Sequence, residues 1–192
     1  MSVNLNIVFD LDGTLSNGEH RLHYIEKREK DWVKYFAECE KDEPILPITT
    51  LFQSMVDTIA YKRGITAPYS TISIWSGRSS ECFMKTLAWL REHLRLRANG
   101  SPYADEELGM YRTVLYAYGS EDYVFGGDAV PIDFRMRLEG NYTDDVILKH
   151  RWLHSIHSAQ NRPNLVFEDR TRVVEMWRRA GIQCCQVTDG DF

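Results

Sequence analysis

Several features that would each assign a class of protein are missing from this chain of 192 residues. No run approaches the roughly 20 apolar residues that a membrane span requires. The first apolar run, from Val3 to Phe9, is short, is broken by Asn4 and Asn6 and ends in Asp10, so it does not read as a signal peptide. Basic excess is absent: 23 Lys and Arg against 28 Asp and Glu give a formal charge of −5. That balance argues against a large nucleic-acid footprint but permits a local site for one phosphate or one strand end. The four cysteines, Cys39, Cys82, Cys184 and Cys185, show no metal-ligand spacing and read as buried free thiols of a reducing cytosol. Cys184 and Cys185 would point to opposite faces of a strand. No GxxxxGK[ST] phosphate loop occurs, which excludes P-loop kinase chemistry from this sequence. A cytoplasmic protein without a membrane partner is expected.

The length suits one domain, 1–192, with a small cap, large enough to bury a core without disulfide or metal staples. Strand-like runs at Leu5 to Phe9, Thr71 to Trp75, Asn164 to Phe167 and Gln183 to Val187 alternate with helical patterns, as in a parallel α/β sheet. Apolar positions spaced near 3.6 residues predict a helix over 48–59. Others are expected after Gly77, from Thr143 with Asp144 and Asp145 in its first turn, and from Thr171 to Ala180 before Gly181. Two segments stand outside the alternation. Glu19 to Cys39 reads as an extra helix bearing Leu22, Ile25, Trp32 and Phe36, within an expected cap over 17–46. Residues 95–131 form an insertion with half of the tyrosines and possible strands at Thr113 to Tyr118 and Tyr123 to Phe125. Those tyrosines suit either base stacking or a packed accessory hairpin, and the hairpin is the plainer account.

The first strand ends in Asp10-Leu11-Asp12-Gly13-Thr14. Side chains two apart on extended backbone point the same way, so both carboxylates could face one centre. Their repulsion calls for a counter-ion, and Mg²⁺ suits oxygen ligands shared with a substrate phosphate. The next strands also end in polar residues, Ser76-Gly77-Arg78 and Glu168-Asp169, at the sheet edge where α/β proteins bind ligands. Phe9 to Leu15 resembles the first signature of haloacid-dehalogenase (HAD)-type phosphohydrolases. The run from Glu168 to Trp177, continuing through Ala180-Gly181 to Gly190-Asp191-Phe192, is similar to the 3′-phosphatase domain of bacteriophage polynucleotide kinase/phosphatase. So are Glu19-His20-Arg21-Leu22, Ser76-Gly77-Arg78 and Asp144 to Lys149, and the similarity covers most of residues 3–93 and 132–192.

That resemblance implies a HAD-like (Rossmannoid) α/β fold: a parallel sheet flanked by helices, with a small helical cap. It implies Mg²⁺-dependent hydrolysis of a phosphomonoester through an aspartyl-phosphate, with Asp10 as nucleophile and Asp12 as proton donor and acceptor. Mg²⁺ is then held by Asp10, the Asp12 backbone carbonyl and Asp169, with Glu168 beside it. Ser76, Gly77 and Lys149 face the phosphate, and Arg78 contacts phosphate or strand end. The role of Arg21 is left open. Each motif has a plainer reading: Ser76-Gly77-Arg78 as a helix cap with an incidental arginine, and Lys149 as the (i, i+4) surface partner of Asp145. His150, His154 and His157 share helical spacing but form no ligand set and read as solvated. Glu168 stands where this branch commonly has aspartate. The substrate implied is a 3′-phosphate on a DNA or RNA end, processed in a host cytoplasm if the chain is phage-encoded. The alternatives are a nucleoside monophosphate phosphatase and a catalytically silent end-binding protein.

Overall fold

The computed structural model describes residues 4–63, 70–117 and 129–190. In chain order the elements are β1 (Asn6–Phe9), β2 (Ser16–Asn17), α1 (Glu19–Leu22), α2 (Trp32–Ala37), β3 (Glu43–Pro44) and α3 (Leu46–Arg63). Then follow β4 (Thr71–Ser79), α4 (Phe83–Leu94), β5 (Leu96–Ala98), β6 (Tyr103–Asp105), β7 (Met110–Ala117) and β8 (Val130–Arg137). The chain closes with α5 (Asp145–His154), β9 (Leu165–Glu168), α6 (Thr171–Arg179) and β10 (Gln183–Gln186).

The main sheet runs β10-β9-β1-β4-β8-β7-β5, with β6 also paired to β7. Strands β10 through β8 are mutually parallel, and β5, β6 and β8 meet β7 antiparallel. The α/β expectation holds, and the sheet is mixed. From β1 the chain crosses to β4 on one side and later returns to β9 on the other, so the carboxyl end of β1 is a topological switch point.

Period-2 burial explains why β1 sits in the middle. Ile7 and Phe9 face one core with Phe52 and Val56 of α3 and Leu90 of α4. Val8 faces the opposite core with Leu148 and Trp152 of α5 and Trp177 of α6. A strand buried on both faces reads as a continuous apolar run, which is how β1 is visible in the sequence. Helix ends follow expected chemistry. Asp144 caps α5 by accepting from the Val146 N–H at 2.9 Å, and Gly181 follows α6 at φ +77°.

Three expectations need correction. The extra helix over 19–39 is two short helices, because the charged stretch Glu26 to Asp31 offers no apolar face and Asp31 caps a new start by accepting from the Lys34 N–H. The second core strand does not stop at Trp75 but continues to Ser79. Cys185 is exposed, whereas Cys39, Cys82 and Cys184 are buried free thiols. The insertion is a packed meander: β7 spans the expected strand at Thr113, and Tyr111 meets the Phe83 ring edge-on at 5.0 Å. The strand expected at Tyr123 lies outside the described residues. No helix among the described residues is long and apolar enough to cross a membrane.

Trp152 is fully buried, meets Trp75 edge-on at 6.0 Å and donates its indole N–H to the Leu108 carbonyl at 3.0 Å. Trp152→Ala should lower stability by about 3–5 kcal/mol, read as a shift of the urea midpoint with an unchanged slope.

Candidate active site

The carboxyl ends of β1 and β9 bring three acids together. Asp10 follows β1 and donates its backbone N–H to Phe167 of β9 at 2.9 Å. Glu168 ends β9 and Asp169 follows it. A carboxylate oxygen from each of the three lies within 4.8 Å of the others, and all three residues are buried. Lys149, the fifth residue of α5, reaches in from the neighbouring layer and donates to Asp10 Oδ1 at 2.5 Å and Glu168 Oε2 at 2.7 Å. Its side chain is 4% exposed, and its hydrogen bonds go to these two acids rather than to Asp145. The surface-pair reading of Lys149 is therefore set aside.

Three carboxylates facing one ammonium group leave negative charge uncompensated. Burial, followed by the Glu168 charge, pushes the Asp169 carboxyl up to about 8. Burial also raises Asp10, the Glu168 charge adds to that rise, and the Lys149 charge and hydrogen bond oppose it. Among the described residues neither side-chain oxygen of Asp169 meets a hydrogen-bond donor. Space around it is kept by two glycines: a Cβ on Gly13 would lie 2.2 Å from Asp169 Oδ2, and one on Gly190 would lie 2.7 Å from it. Gly13 also adopts φ +79°, a conformation that penalises any side chain. A hard divalent cation fits this donor set: all-oxygen, anionic and with one carboxylate lacking any donor.

Asp12 belongs to a second network. Its Oδ1 accepts from Arg21 Nη2 at 2.6 Å and Arg78 Nη2 at 2.5 Å, and its Oδ2 from Arg78 Nε at 3.1 Å. Asp42, which lies just before β3, closes the network. It accepts from Arg21 Nε and Nη2 at 2.6 Å each, and from Arg78 Nη2 at 2.8 Å. The two guanidiniums hold Asp12 well below the usual carboxylate range despite its burial. The two carboxylates of the first motif thus face different surroundings, and Asp12 lies outside the three-acid cluster.

Ser76 and Gly77 lie inside β4 rather than at a helix start, and the buried Ser76 hydroxyl accepts the Arg78 N–H at 3.1 Å. Arg78 turns inward: its side chain is 0% exposed and also bonds Ser16 and Thr86. Arg21, whose role the sequence left open, is equally buried beneath Tyr35, 4.0 Å from the ring centroid. Asp42 was missed altogether; within the charged run Glu40-Lys41-Asp42-Glu43 no local signal sets it apart. Asp145 pairs instead with Arg137 of β8 and with Arg170, the latter at 2.5 Å. His150 and His154 are exposed, with rings 4.1 Å apart, and His157 is exposed too.

Residues 118–192 match the family model of the polynucleotide kinase PNKP phosphatase domain. The chain resembles a HAD-type PNKP phosphatase domain. Among solved structures, one chain in the structure of the Pnkp1/Rnl/Hen1 RNA repair complex aligns over all of this chain at 22% identity and TM-score 0.56. A chain in a second Pnkp1/Rnl/Hen1 complex aligns equally well, with the same identity and TM-score. This chain spans 45% and 48% of those two chains, and at that identity the likeness carries the fold alone.

Two predictions follow from the charges. Asp42→Asn removes one of two anions balancing two buried guanidiniums and should cost about 3–5 kcal/mol, measured by urea unfolding at pH 7; a loss below about 1 kcal/mol would show that Asp12 alone suffices. Asp169 binds its proton more tightly folded than unfolded, so its contribution to stability falls as pH rises from about 4 to about 8. The rise in melting temperature on adding Mg²⁺ should therefore grow across that window, and a pH-independent increment would contradict it.

Proposed function

We propose that this chain is a Mg²⁺-dependent HAD-type phosphatase that removes 3′-phosphates from nucleic-acid ends. The observation that carries the reading is the buried Asp10–Lys149–Glu168 constellation beside Asp169, whose carboxylate has room but no donor. The match of residues 118–192 to a phosphatase-domain family supports it from the sequence side.

In this reading Asp10 attacks phosphorus and forms an aspartyl-phosphate, dividing one difficult displacement into two easier ones. Lys149 holds Asp10 in place and offsets charge on the transferring phosphoryl group. Ser76 and the backbone N–H of Gly77 line the same sheet edge as phosphate contacts. Asp12 serves as the proton carrier: it protonates the leaving alkoxide and then accepts a proton from the water that hydrolyses the intermediate. Asp10, the Asp12 carbonyl and Asp169 would hold Mg²⁺, with Glu168 alongside. When bound, the ion supplies positive charge to Asp10 and to the phosphate oxygens. Glu168 also anchors the lysine, a task to which the longer side chain is suited.

The test is Mg²⁺-dependent phosphate release, run side by side on 3′-phosphorylated DNA and RNA oligonucleotides and on 3′- and 5′-mononucleotides. RNA belongs in the panel because the solved relatives lie in an RNA repair complex. Faster turnover on an oligonucleotide supports the reading, and preference for a mononucleotide makes the chain a nucleotidase. Absence of release from every substrate, at high enzyme concentration, makes it an end-binding protein. Asp10→Asn should abolish turnover with the fold intact, and Lys149→Ala should lower kcat by at least about 100-fold. Near-normal activity in either variant would sink its assignment.

A further inference from the structure

Arg78 is spent inside the protein, which leaves open which cation meets the part of the substrate beyond its terminal phosphate. Arg170 is placed for that task. It follows Asp169 directly and caps the start of α6. Its Nη1 donates to Asp145 Oδ2 at 2.5 Å. Asp145 is itself fixed from the other side by Arg137, whose Nε donates to the Gly77 carbonyl at 2.8 Å. A Cβ on Gly77 would lie 2.4 Å from Asp145 Oδ1, so the glycine lets this carboxylate pack against β4. Four elements thereby fix one guanidinium at the edge of the acid cluster, where Asp10, Asp12 and Asp169 all act on its charge.

Exposure separates Arg170 from the other cations. Its side chain is 29% exposed, against 4% for Lys149 and 0% for Arg21 and Arg78. Lys149 lies within the buried cluster, whereas Arg170 stands at its rim, tied to an acid outside the cluster. In the proposed reaction a terminal phosphate seated at Asp10 would carry the rest of its chain outward from the buried cluster. Two arginines share the one Asp145 carboxylate at the rim, so that trio holds one positive charge in excess for the next anion of a polynucleotide. Arg is also the residue whose planar fork suits phosphate.

We propose that Arg170, braced by Asp145, binds the phosphodiester adjacent to the terminal phosphate and so sets a preference for polynucleotide ends over monoesters. This rests on the phosphatase reading above. Steady-state constants for wild type, Arg170→Gln and Arg170→Lys are compared on a 3′-phosphorylated trinucleotide and on p-nitrophenyl phosphate. Arg170→Gln should raise KM for the trinucleotide at least tenfold more than KM for p-nitrophenyl phosphate. Arg170→Lys, which keeps the charge but not the fork, should recover part of the difference. Equal losses on the two substrates would overturn the proposal, because Arg170 would then serve the scissile phosphate or the fold.

Binding gives an arm independent of turnover. Anisotropy of a labelled 3′-phosphorylated trinucleotide, titrated over a series of salt concentrations, should show the slope of log K against log salt falling by about 0.7 in Arg170→Gln, the value for one lost single-strand contact. An unchanged slope would overturn the proposal. A wild-type protein that binds the trinucleotide but releases phosphate from neither substrate would defeat the phosphatase reading, with the slope still deciding the role of Arg170.

Discussion

Three carboxylates buried around a single ammonium group are the constraint to which much of the architecture answers. Burying one charge costs several kcal/mol unless it is paired, and here Lys149 donates to Asp10 and Glu168 while Asp169 lies beside them. The parallel register of β1 and β9 forces the acids together, because Phe9 pairs with Phe167 and the following residues leave both strands side by side. Helix α5 must then pack so that Lys149 enters the cluster. It does so by burying Leu148, Trp152 and Leu153 against the face of the sheet that Val8 and Trp75 present. The hydrophobic layer aims the lysine, and the lysine makes the acid cluster tolerable.

Position within the sheet explains why this charge accumulates at that edge. Crossovers leave β1 toward β4 on one side and β9 on the other, and the opening between them is where open α/β sheets bind ligands. Gly13 and Gly190 contribute by absence, since any side chain at either would occupy the space of the Asp169 carboxylate. These two glycines mark a volume reserved around an acid that no protein donor fills. Burial of such a group raises its proton affinity, and the metal site proposed above would relieve the same cost.

Legibility in the sequence followed burial. Strands β1, β4 and β9 were readable because both faces are covered, giving apolar runs that end abruptly in polar residues. Strand β8 was missed although it pairs along its whole length with β7 and from Ile132 onward with β4. Its sequence, Val-Pro-Ile-Asp-Phe-Arg-Met-Arg, carries Asp133 and Arg135 in a sheet interior. They are tolerated there because Asp133 accepts from Arg112 and Arg135, and Arg135 lies 4.3 Å from the Trp75 ring centroid. Pairing between distant residues hides a strand from any local pattern. The same reason hid Asp42, whose partners Arg21 and Arg78 lie 21 and 36 residues away. Arg78 was legible as important but not in its direction, since a motif shows that a cation is present but not which way it turns. The acids of the site were legible because each ends a strand.

The two networks divide the paired aspartates of the first motif by electrostatics. Asp10 sits among buried acids, and burial with the Glu168 charge raises its proton affinity against the pull of Lys149. Asp12 sits between two guanidiniums and is an anion without help. A group so held is ionised and a weak base in the free protein, yet the proposed reaction asks it to carry a proton. Arg21, Arg78, Asp12 and Asp42 together are neutral, two charges against two, which lets four ionised groups share one buried site. In the proposed reaction a phosphate dianion beside Asp12 would raise its affinity for a proton. Asp42 then does more than fill a buried corner. By taking bonds from both arginines it balances the second guanidinium, which Asp12 alone would leave unpaired.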